Sequence, residues 1–205
     1  EMELMRTIGT QVRGIRAPII KEGDDIVDIV VSSLKKSWEE EGYELNDGDV
    51  VAVTESTVAR AQGNYVTIDD IAQEIEEKYD DQIGIVFPIL SRNRFSMILK
   101  AIAKTNKKIY LQLKYPRDEV GNPLMDEKKL AESYFDPYKD TISEEEYNNY
   151  FGNYKHPFTG INYVDYYKKL VGDTEMEVIF SNRVETILEY TKDILTADIH
   201  TQTKT

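Results

Sequence analysis

Apolar and polar positions follow a repeating order along the chain: a short β-branched run, a polar turn, then an amphipathic helix. The first apolar stretch, residues 7–15, predicts a strand. Residues 25–41 predict a long helix, because Ile26, Ile29, Val30, Leu34 and Trp38 recur at the spacing of one helical face. Asp24 suits its N-cap and Gly42 its end. Residues 49–53 form a β-branched run and predict a buried strand. The order then repeats as helix 68–79 with Thr67 as N-cap, strand 83–89, helix 95–104 and strand 108–113.

After Pro116 the pattern loosens. Residues 117–158 are rich in Tyr, Asp, Glu and Asn and hold few β-branched residues. They predict an irregular, partly helical excursion, a lid or a dimer arm, with helices at 127–134 and 143–151. The order returns with helix 163–171, strand 176–180, helix 184–192 and strand 195–199. Repeated β-α units with apolar strands imply an α/β fold, a mostly parallel or mixed sheet with helices on both faces. The expected organisation is a nucleotide-site-like part over 1–116, the excursion over 117–158, and continuing β-α units over 159–205. An apolar strand followed by only six polar residues leads us to expect that the natural protein continues past Thr205.

Composition narrows the function classes. The chain of 205 residues is 40% hydrophobic and 31% charged, which suits a globular protein. Its net charge of −13 disfavours nucleic acid as a partner. Cysteine is absent, so disulfides, thiolate metal sites and cysteine nucleophiles are excluded. No apolar run approaches a membrane span, and a cytoplasmic location is expected.

In open α/β sheets ligands bind beyond the carboxyl ends of the strands. The polar residues there are Thr54-Glu55-Ser56, Ser91-Arg92-Asn93-Arg94, Tyr115 with Asp118 and Glu119, Ser181-Asn182-Arg183, and Asp198 with His200. If the strands are parallel, these groups converge on one edge. Ser91, Arg92 and Arg94 precede a helix, where amide N–H groups and planar guanidinium forks both suit phosphate or carboxylate; surface arginines balancing an acidic protein is the plainer explanation. Thr54, Glu55, Ser56, Thr57 and Arg60 put hydroxyls, a carboxylate and a cation in one turn, which suits a nucleotide or, more simply, a helix cap. Asp198 and His200 could serve a metal, but two ligands do not make a site. Neither common nucleotide fingerprint, the phosphate loop nor the Gly-x-Gly-x-x-Gly turn, is present.

Two stretches carry a resemblance. One is Gly14-Ile15-Arg16-Ala17-Pro18-Ile19-Ile20-Lys21-Glu22-Gly23-Asp24-Asp25; the other runs from Asp47-Gly48-Asp49 through Thr54-Glu55-Ser56-Thr57-Val58-Ala59-Arg60-Ala61-Gln62-Gly63. In order and spacing they resemble the N-terminus of the γ-glutamyl ligases that elongate the deazaflavin coenzyme F-420. The segment around Ser91-Arg92-Asn93-Arg94-Phe95 is similar to a longer bacterial branch of that family. The resemblance implies a GTP-dependent ligase using Mg2+ or Mn2+, active as a homodimer. A substrate carboxylate would be activated as an acyl phosphate and attacked by L-glutamate. The carboxylate acceptor would be the deazaflavin coenzyme, a folate or another γ-carboxylate. The family's nucleotide positions fall on Ala17, Pro18, Ile19, Ile20, Glu55, Ser56 and Arg60. Glu55-Ser56 replaces a Ser-Thr pair, and Arg60 replaces a lysine. The family's metal carboxylates have no counterpart in these 205 residues, so a fragment of such a ligase would be inactive alone. The alternative reading is a non-catalytic nucleotide- or phosphometabolite-binding module; a purely structural dimer-forming protein is a weaker third.

Overall fold

A computed structural model describes residues 9–90, 93–118 and 121–196, without the side chains of 93 and 94. The chain divides into two units, Glu1–Val66 and Thr67–Thr205.

In the first unit, helix α1 (Ile26–Glu41) forms where the 3.6-residue spacing predicts it. Its N-cap is Asp25, one residue later than expected, whose carboxylate accepts from the N–H groups of Val27 and Asp28. Asp24 instead accepts from the Lys21 N–H at 2.7 Å and shapes the turn before the helix. Gly42 closes α1 with φ at 66°, left-handed backbone that glycine adopts without a Cβ penalty. A second helix, α2 (Glu55–Ala61), follows Thr54.

Neither strand expected in this unit forms among the described residues. Residues 9–15 and 49–53 carry no ladder, and residues 7–8 lie outside the described residues. A strand needs a partner edge, and among the described residues neither stretch has one. Val12 and Val50 are accordingly exposed, and α1 buries no residue fully. The apolar face of α1 and residues 50–53 instead border a cavity of about 380 Å3.

The second unit holds the sheet. Helix α3 (Ile68–Lys78) starts at a capping box between Thr67 and Asp70, and α4 spans Asn93–Ala103. Strands β1 (Gln82–Val86), β2 (Lys108–Leu113), β4 (Met176–Phe180) and β5 (Ile194–Thr196) run parallel. The two-residue β3 (Ile142–Ser143) pairs antiparallel with β4, giving the order β3-β4-β2-β1-β5. Helix α7 (Tyr163–Val171) and α4 cover one face through Leu99, Ile102, Val164 and Tyr167, packed on Ile83, Ile109, Leu111 and Val178. On the other face a 3-10 helix, Val184–Glu189, stands where a longer helix was expected, and its Ile187 packs against Val86 and Ile179. It lies so close that a Cβ on Gly84 would sit 2.7 Å from Ile187.

Residues 117–158 contain α5 (Glu127–Glu132), β3 and α6 (Glu144–Phe151). Leu124, Met125, Leu130, Phe135, Ile142, Tyr147 and Phe151 from this stretch are buried in the main core. Tyr147 stacks on Phe180 of the sheet, with ring centroids 4.5 Å apart.

Candidate functional site

The two motif stretches of the first unit are clasped together. The Gly23 N–H donates to the Ala61 carbonyl at 2.9 Å, joining the loop before α1 to the end of α2. At the next turn the Glu22 side chain crosses Gly63, where a Cβ would stand 2.7 Å from Glu22 Oε1. Gly63 also has φ at 65°, so glycine meets both the close approach and the left-handed backbone.

The clasp sets Ile19, Ile20, Ser56 and Arg60 around one concavity of about 270 Å3, together with Thr57. Ala17 shares the neighbouring 380 Å3 cavity with Ile20. Pro18 lines a third concavity, and Glu55 takes the first turn of α2. Thr54 occupies the N-cap position of α2, but its hydroxyl bonds the Thr57 hydroxyl at 2.7 Å and lies 3.4 Å from Ser56 Oγ. The cap function expected of this turn is therefore made by backbone alone, and the hydroxyls form a chain of their own. Arg60 has no side-chain hydrogen bond or ion pair among the described residues. Two hydroxyls, Ser56 and Thr57, with a guanidinium and an apolar wall suit phosphoryl oxygens beside a less polar group. Thr57 belongs to the hydroxyl-bearing turn singled out in the sequence, and it lines the concavity with Ser56 and Arg60.

In the second unit the carboxyl edge of the sheet brings together part of what was expected. The connection after β4 leads to one face of the sheet, while the one after the adjacent β2 leads, through the residues before α7, to the other. Such a reversal opens a crevice in α/β sheets. Here Asn182 bridges it: its Oδ1 accepts from the Tyr115 N–H at 3.0 Å, and its Nδ2 donates to the Tyr115 and Pro137 carbonyls. Gln112 Nε2 donates to the carbonyls of Ser181 and Arg183. Gln112 Oε1 is buried and has no partner among the described residues. The signal for Gln112 was a lone polar residue in an otherwise apolar strand interior.

Phe87, just after β1, holds φ at 50°, uncommon for a residue with a Cβ. Burial first, then Asp140 and Asp136, push the Tyr115 hydroxyl up to about 12, and it donates to the carbonyls of Asp140 and Asp136. Arg183 pairs with Glu185 at 3.5 Å. Ser91, Arg92, Glu119, Asp198 and His200 lie outside the described residues, and Arg94 enters α4 with its side chain not described.

Among the described residues, no group of three or more His, Asp or Glu side chains could hold a metal ion. No helix of these residues is long and apolar enough to cross a membrane.

The family model of F420-0:Gamma-glutamyl ligase matches residues 14–204. The chain belongs to this family. The coenzyme F420:L-glutamate ligase of Methanothermobacter thermautotrophicus is 30% identical over 81 residues, covering 37% of this chain and 31% of that protein. The chain thus spans about a third of the curated relative it matches. No solved structure matches the chain significantly. The family match extends past both motif stretches and through the whole sheet of the second unit.

Proposed function

We propose that this chain carries the nucleotide subsite of a γ-glutamyl ligase, in which a substrate carboxylate is activated by GTP as an acyl phosphate and L-glutamate supplies the attacking amine. The amine nitrogen bonds the acyl carbon, phosphate leaves, and the nitrogen loses a proton. The observation that carries this reading is the concavity at Arg60, where two motifs separate in the sequence are clasped by Gly23 and Ala61. Membership of the family supports the same reaction class. Arg60 takes phosphoryl oxygens as a planar fork, Ser56 and Thr57 donate to them, and Ile19 with Ile20 excludes water. The acceptor is a carboxylate-bearing compound, the deazaflavin coenzyme, a folate or another γ-carboxylate, and the working form is a cytoplasmic homodimer. Mg2+ or Mn2+ belongs to the chemistry of this family. The described residues offer it no group of three or more His, Asp or Glu side chains as a ligand set.

Calorimetric titration with GTP, then ATP, with and without Mg2+ or Mn2+, tests the subsite. GTP should bind saturably, and Arg60→Ala should weaken it about tenfold or more, the usual worth of a charge-assisted hydrogen bond. Failure of both nucleotides to bind a chain shown to be folded would sink the proposal, as would an Arg60→Ala affinity equal to wild type. Glu55 favours a second reading, a non-catalytic nucleotide- or phosphometabolite-binding module, because a carboxylate in the first turn of α2, next in sequence to Ser56, disfavours a nearby phosphate. Saturable binding without glutamate incorporation by the natural full-length protein would select that module.

A further inference from the structure

The backbone strip that ends at Ile20 borders two different concavities of the first unit. Ile19 lines the one at Arg60, and its neighbour Pro18 lines another of about 850 Å3. The larger one falls within the usual size of small-molecule sites. Arg13, Arg16, Lys36, Ser33, Ser37 and Tyr43 contribute to its wall.

The arginines of the two units are treated differently. In the second unit Arg117 pairs with Glu127 and Arg183 with Glu185. In the first unit none of the described arginines meets a carboxylate. Arg13 lies over the Tyr43 ring at 4.5 Å and donates to Gln11, while Arg16, like Arg60, has no side-chain hydrogen bond or ion pair among the described residues. With 38 Asp and Glu against 25 Lys and Arg, carboxylates are plentiful in this chain. Glu40 and Glu41 also border the concavity, but Glu40 sits 3.7 Å from Lys36. That pairing offsets the lysine, and the two guanidiniums outweigh the remaining Glu41, so the concavity keeps a net positive charge that attracts an anion. Tyr43 holds Arg13 from one side by cation–π contact, and the Tyr43 hydroxyl is itself anchored on Ser37 Oγ at 3.1 Å.

We infer that this second concavity binds an oxyanion of the other anionic substrate, a carboxylate or phosphate group of the acceptor, next to the nucleotide subsite. Arg16 and Arg13 are the recognising groups, with the Ser33 and Ser37 hydroxyls as donors. The ligase reading supplies only the reason for two anionic substrates. The concavity and its unpaired arginines stand without it. Two anion subsites on one short strip of backbone would bring a nucleotide phosphate and an acceptor carboxylate together, as a phosphoryl transfer between them requires.

The test titrates the full chain with γ-linked diglutamate and, separately, with inorganic phosphate. Wild type is compared with Arg16→Gln, Arg13→Gln and the exposed second-unit control Lys169→Gln. Saturable binding weakened about tenfold or more by Arg16→Gln, and untouched by Lys169→Gln, is expected. Response to diglutamate alone identifies a carboxylate as the ligand group, response to phosphate alone identifies a phosphate, and response to both identifies a general oxyanion site. Neither probe binding the folded wild type overturns the inference. So does a loss shared equally by Arg16→Gln and Lys169→Gln, or no loss in either. GTP affinity should survive Arg16→Gln. A chain that binds diglutamate through Arg16 yet binds no GTP keeps this inference and fails the nucleotide reading.

Discussion

At the scale of single residues, Tyr147 shows how burial and hydrogen bonding act together. Its ring is 1% exposed, its hydroxyl donates to the Leu124 carbonyl at 3.0 Å, and Asn162 Nδ2 donates to it at 3.1 Å. Burial pushes this hydroxyl up to about 12, outweighing the Asn162 hydrogen bond. The raised value means that the folded state holds the proton longer than the unfolded chain. The associated stability is complete below pH 10 and is lost between pH 10 and 12. Tyr147→Phe should cost about 1–2 kcal/mol at pH 7, because Leu124 O loses its donor. At pH 11 the gap to wild type should shrink by about 1 kcal/mol, since only wild type then suffers the ionisation penalty. Urea melts at both pH values decide it, and an unchanged gap would remove burial as the cause.

Secondary elements were largely legible because their signals are local. Thr67 and Asp70, and Ser143 and Glu146, sit three apart, the spacing at which each side chain reaches the other's backbone N–H. The Ser143 hydroxyl accepts from the Glu146 N–H at 3.2 Å, and the Glu146 carboxylate accepts from the Ser143 N–H at 2.8 Å. Ser143→Ala should therefore lower stability by about 1 kcal/mol, with an unchanged denaturant slope, since α6 carries Tyr147 and Phe151 into the core. A urea midpoint equal to wild type would show that tertiary packing alone holds α6. Strands β2 and β4 match the sequence reading at both ends, whereas residues 49–53 do not form the strand their composition predicts. β-branching marks a chain that fits a ladder, but the ladder needs a second chain segment, and nothing local specifies it. The two-residue β3 was invisible for the same reason: it exists because β4 offers an edge.

For the whole molecule, the distribution of the core is decisive. Every fully buried apolar side chain among the described residues lies in 67–205, with Ala61 the exception. A fragment comprising Thr67–Thr205 should therefore unfold cooperatively, with a urea midpoint close to that of the whole chain. Non-cooperative melting of that fragment would mean that the first unit contributes to its core. The candidate site in the first unit, by contrast, is held by few contacts: one backbone hydrogen bond from Gly23, one close approach at Gly63, and a chain of hydroxyls. Elements with so little burial are the first to open locally.

Sequence by itself determined the β-α order of the second unit, its helix caps, the absence of thiol chemistry and the two motifs that place the chain in its family. Those features depend on residue type and short spacing, which chemistry reads locally. Tertiary structure alone decided that Gly23 meets Ala61, that Asn182 closes the crevice between β2 and β4, and that Arg16 and Arg60 stand clear of every carboxylate described. It also decided which apolar runs become strands. Each of these is a relation between residues distant in the chain, settled by which backbone edges and side chains the folded chain brings within hydrogen-bonding reach.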